Sequence, residues 1–72
     1  MIVCLGATAA QALLGRGFRV TRQRGAFVPS ALAPRVLATV HPSALLRAEP
    51  AAHAAEIARF IADLQVAARA LA

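Results

Sequence analysis

Two apolar runs frame the first part of the chain, Ile2-Val3-Cys4-Leu5 stopping at Gly6 and Val36 to Val40 stopping at His41-Pro42. Short, β-branched-rich runs without polar interruption predict strands buried on both faces, as in a parallel sheet. Between them, Ala7 to Leu14 is built of strong helix formers, with Thr8 as an N-cap and Gly15 and Gly17 closing the helix. From Phe18 to Val28 apolar and Arg positions interleave around Gly25, which predicts short irregular strands or a hairpin that exposes guanidinium groups. Pro29 to Pro34 reads as a loop.

After the second strand the period changes. Glu49-Pro50 supplies an acid and a first-turn proline, the start signal for a helix over about Pro50 to Leu71. Ile57, Phe60, Ile61, Leu64, Ala67, Ala68 and Leu71 fall on one stripe, which predicts the buried face, with the small Ala67 and Ala68 allowing close approach. Glu56, Arg59 and Asp63 run beside it and, with His53, read as a solvated, salt-bridged flank. The order strand, helix, basic hairpin, strand, long helix is an α/β pattern. Two parallel strands with their helices seldom make an independent sheet, so the pattern reads as a piece of something larger.

Composition sharpens that picture. The chain has 72 residues, 60% of them hydrophobic, with three Phe and neither Trp nor Tyr. This excludes a disordered tail, and it leaves more apolar surface than one small core absorbs. Charge is lopsided: residues 1–47 carry six Arg and no acid (+6), and residues 48–72 carry two Arg and three acids (−1). A basic half of this kind suits a polyanion such as DNA, because Arg presents planar paired donors to phosphate oxygens. The single cysteine, Cys4, builds neither an internal disulfide nor a metal site and reads as a small buried hydrophobe. No stretch reaches a membrane span, and no positive charge precedes the first apolar run, so export is rejected and a cytoplasmic location is expected.

The candidate chemistry lies at strand ends. Gly6-Ala7-Thr8 before a helix is a weak phosphate-binding signal or a plain turn. His41 is stronger, because it stands where a predicted parallel strand ends, the side on which open α/β sheets gather ligands, and Pro42-Ser43 makes the turn rigid.

The segment HPSALLR at 41–47 resembles the His-Pro-Ser motif of the uracil-DNA glycosylase superfamily. IVCLGATAAQALLG at 2–15, FRVTRQRG at 18–25 and VLATVHPSALLR at 36–47 resemble, in order and spacing, the C-terminal run of the family 4 iron–sulfur enzymes, in particular the UdgX-like branch. The resemblance implies the C-terminal part of a three-layer α/β/α fold whose N-terminal portion is missing, acting on uracil-containing DNA in base excision repair. It makes His41 the catalytic donor to uracil O2, with Pro42 beside it in the uracil pocket. Ser43, Leu45 and Arg47 would contact DNA, Ser43 at a phosphate and Leu45 as the wedge beside the flipped base, while Arg22 and Arg24 of the basic hairpin would meet the backbone. The resemblance also implies a 4Fe-4S cluster in the full-length protein. Nothing here matches its upstream cysteines, the Gly-Glu-x-Pro-Gly motif or the UdgX loop with its covalently bonding histidine, so this chain is expected to bind no cofactor alone and to excise uracil weakly or not at all. The alternative is a nonenzymatic, Arg-rich nucleic-acid-binding module.

Overall fold

The computed structural model describes residues 1–71. Its elements are β1 (Ile2–Leu5), α1 (Ala7–Leu14), α2 (Val20–Gln23), β2 (Phe27–Val28), β3 (Val36–Thr39), α3 (Pro42–Leu46), a 3-10 turn (Pro50–Ala52) and α4 (His53–Leu71). The sheet order is β1-β3-β2, with β1 parallel and β2 antiparallel to β3. This is the expected α/β architecture, with a mixed sheet. The antiparallel strand follows from the short return between Val28 and Val36, which lacks the length of a crossover.

Register decides which side chains share a face. Ile2 pairs with Val36 and Cys4 with Ala38, and these four join Ala10, Phe18 and Val20 in the core between the sheet and α1. Val3 pairs with Leu37 and Leu5 with Thr39, on the face toward α4. The central strand β3 is buried at every position, as its uninterrupted apolar run predicts. Val3 and Leu5, in contrast, are 38% and 41% exposed, because α4 packs over β3 and leaves edge strand β1 uncovered.

Three local expectations are corrected. Thr8 caps nothing: Gly6 is the N-cap of α1, at φ +98°, and it makes no side-chain cap bond. The basic segment contains a helical turn, α2, where irregular strands are expected, since Arg24 N–H closes onto Val20 O and the Gln23 side chain accepts from Arg19 N–H. The third correction concerns α4, which is turned relative to its apolar stripe. Ala67 is buried and Phe60 half-buried, but Ile57, Ile61, Leu64 and Leu71 face solvent, while Glu56 and Asp63 point toward Arg24. A desolvated guanidinium needs a counter-charge more than the sheet needs one further apolar contact.

Candidate active site

The C-terminal ends of β1 and β3 lie side by side, with Gly6 N–H donating to Thr39 O at 2.8 Å. Past this point one strand turns into α1 and the other into α3. His41 is the N-cap of α3 and Pro42 its first residue, where a missing N–H costs nothing and the fixed φ suits a helix start.

The turn fixes the imidazole. Ser43 N–H reaches His41 Nδ1 at 3.1 Å, and Ser43 Oγ lies 2.9 Å from the same atom. A backbone N–H has only a proton to give, so Nδ1 is the acceptor and the ring proton resides on Nε2. The serine hydroxyl therefore donates to Nδ1 as well. Nδ1 has a single in-plane lone pair, so the two Ser43 donors share it.

His41 lines a cavity of about 200 Å³ shared with Gly6, Ala7, Val20, Thr21, Val40, Ala44 and Arg47. This is smaller than the roughly 300–1,000 Å³ of sites for drug-sized ligands. Its walls are largely apolar, and the polar side chains are His41, Thr21 and Arg47. Arg47 thus lies at the cavity, where sequence places a DNA contact. Pro42 is exposed and is not among the lining residues.

Gly6 lets the two strand ends meet. A Cβ there would approach His41 Cβ to 3.2 Å, and the φ of +98° suits glycine. Neither feature is visible in a sequence, which marks Gly6 only as the residue that ends the strand and opens the turn before α1.

The two arginines of the basic segment part company. Arg22 is exposed and free to meet phosphate. The Arg24 side chain is 6% exposed; its Nε donates to Asp63 Oδ2 at 2.6 Å and Nη1 lies 3.8 Å from Glu56. The expectation that Arg24 contacts DNA is corrected, since its charge is neutralised inside the fold. Asp63 Oδ2 also accepts from Thr39 Oγ1 at 2.6 Å, and Thr39 is fully buried. Two acids read as solvated from sequence are therefore half-buried partners of an arginine.

Leu45 and Leu46 are divided likewise. Leu45 is half-buried and Leu46 is 83% exposed. An iron–sulfur cluster needs about four thiolates. Cys4 is the sole cysteine and is 3% exposed within the strand core, where burial also raises its pKa, so the residues of this chain do not fit the cluster. Among the described residues no three His, Cys, Asp or Glu side chains gather as metal ligands.

A histidine oriented by its own turn thus stands at the carboxyl end of a parallel strand beside a small, largely apolar cavity, the side on which open α/β sheets gather their ligands. The family model for the uracil DNA glycosylase superfamily matches residues 1–65, and the chain belongs to that superfamily. None of the curated proteins compared with it matches. Membership carries, at the level of the family, a uracil-DNA glycosylase-like function in DNA repair with DNA as the substrate. No described helix is long and apolar enough to cross a membrane.

Proposed function

We propose that this chain is the base-binding portion of a uracil-DNA glycosylase of the family 4, UdgX-like branch, acting on uracil flipped from DNA. One observation carries the reading: Ser43 occupies Nδ1, so His41 offers Nε2–H as the free donor of a ring that lines the cavity. Cleavage of the N-glycosidic bond leaves negative charge on the uracil ring as the sugar becomes oxocarbenium-like. A fixed donor at the developing oxyanion lowers that barrier by about 3–4 kcal/mol, and it costs no reorganisation because the turn has already chosen the tautomer. Arg47 at the cavity rim and the exposed Arg22 hold the DNA backbone, and Leu46 is the better-exposed wedge.

No carboxylate lines the cavity, and Asp63 is occupied by Arg24 and Thr39, so these residues offer no group to activate water. Excision by this chain alone is therefore very slow. A water-activating group, like the thiolates of a 4Fe-4S cluster, would have to come from outside these residues. The uncovered face of Val3 and Leu5 and the exposed flank of Ile57, Ile61 and Leu64 support a further covering layer. The setting is cytoplasmic.

The test is uracil release from single-stranded uracil DNA, together with chemical-shift perturbation by free uracil. Negligible release with uracil-specific shifts at His41 is expected, and robust turnover would sink the claim of an incomplete site. A second reading, a nonenzymatic nucleic-acid binder, draws on the exposed Arg16, Arg19, Arg22 and Arg47. It predicts uracil-independent binding that collapses with salt and is unchanged in His41→Ala.

A further inference from the structure

The cavity has two walls from different parts of the chain. Val40 and His41 continue β3, whereas Val20 and Thr21 open α2. Neither wall is joined to the other by a direct side-chain hydrogen bond among the described residues. Both segments are, however, tied to one atom. Asp63 Oδ2, on α4, accepts from Thr39 Oγ1, two residues before His41, and from Arg24 Nε, three residues after Thr21, each at 2.6 Å. Gly25 N–H donates to Ala38 O at 3.0 Å and stitches the same two segments at backbone level. Gly25 stands at φ +78°, and a Cβ there would lie 2.5 Å from Asp63 Oδ1, so this corner leaves space for the carboxylate.

We infer that Asp63 is a positioning residue for the cavity, one carboxylate oxygen that clamps the His41 wall and the Thr21 wall in a single register. The groups facing it are Arg24, Thr39 and Gly25, with Glu56 on the next turns of α4 beside the same guanidinium. An ion pair serving α4 alone would need only Arg24. The hydroxyl of a fully buried threonine on the strand that delivers His41 gives the clamp its second arm. A donor moved out of line with its acceptor forfeits one hydrogen bond, roughly two- to tenfold in affinity, which sets the scale of the effect.

The test uses the whole chain by 15N NMR, with free uracil as probe. Thr39→Val removes one arm while keeping volume and β-branching, and it leaves Arg24 on Asp63. Asp63→Asn weakens both arms. In Thr39→Val, with a native spectrum elsewhere, uracil affinity falls roughly two- to tenfold. The Val40 and His41 amide and imidazole signals move, those of Val20 and Thr21 stay, and Thr39→Ser restores the wild-type positions. A Thr39→Val protein that is folded, less heat-stable, but unchanged in affinity and in His41 shifts would overturn the inference and leave Asp63 a structural ion pair. The affinity arm rests on the uracil reading above. If the wild type does not respond to uracil, that reading fails, and the clamp is still decided by Asp63→Asn, remote in sequence from both walls, in which the His41 and Thr21 signals move together if it holds and stay in place if it does not.

Discussion

Gly6 and Gly15 form a matched pair set by the fold. Their backbone angles are nearly the same, φ +98° and ψ 163° against φ +95° and ψ 161°, in the region that essentially only glycine occupies. Their surroundings differ: a Cβ at Gly6 meets His41 Cβ at 3.2 Å, and a Cβ at Gly15 meets nothing within 4 Å. Gly15→Ala therefore measures the backbone penalty alone, about 1–3 kcal/mol. Gly6→Ala carries the same penalty plus overpacking against the histidine, about 1 kcal/mol more. For a domain of this size each kcal/mol moves Tm by about 4–8 °C. Total stability of roughly 0.05–0.15 kcal/mol per residue means that both variants remain partly or wholly folded in the cold.

The assay is paired urea denaturation followed by circular dichroism, with 15N spectra of the His41 ring at low temperature. Gly6→Ala should be the less stable of the two and should shift the His41 ring signals, because Ser43 and the backbone of α3 move with the histidine. Gly15→Ala should leave those signals in place. Equal destabilisation with an unmoved His41 would refute the view that the strand-ending glycine is shaped by the histidine next to it.

Arg24→Met should cost about 3–5 kcal/mol, since it strands a half-buried Asp63 without its counter-charge, whereas Arg22→Met should stay within about 0.5 kcal/mol in the same urea melts. Titration of single-stranded DNA against salt should show Arg22→Met lowering the slope of log affinity by about one, and an unchanged slope would remove Arg22 from the phosphate contacts. Leu46→Ala should leave stability alone and weaken binding to uracil DNA, while Leu45→Ala should cost stability first; the reverse outcome, in parallel melts and binding assays, returns the wedge to Leu45. Cys4, occluded and with its pKa raised by burial, should label with a thiol reagent only as fast as the protein opens, and immediate labelling of the folded chain would contradict the burial of this side chain.

The elements that sequence reveals are those whose local pattern and tertiary environment agree. Val36 to Thr39 is apolar or β-branched throughout and is buried throughout, so its strand and the placement of His41 just beyond it are legible without coordinates. The α4 stripe fails for a reason that periodicity does not carry. Helical spacing locates an apolar face, but only the partner decides whether that face or the neighbouring one turns inward. Here Ile57 and Leu64 sit one residue after Glu56 and Asp63, about 100° around the helix. The buried Arg24 draws the acidic positions toward the sheet, and the apolar ones follow the rotation out to solvent. An ion pair 39 residues apart in sequence is invisible to any local pattern, and the burial of Arg24 withdraws it from the DNA surface. The same limit explains Ser43. A hydroxyl in a His-Pro-Ser turn is equally placed for a phosphate or for its own histidine, and here both Ser43 donors lie within reach of Nδ1. What sequence supplies is the candidate donor, His41; the geometry of its turn supplies the reason that its proton is on Nε2.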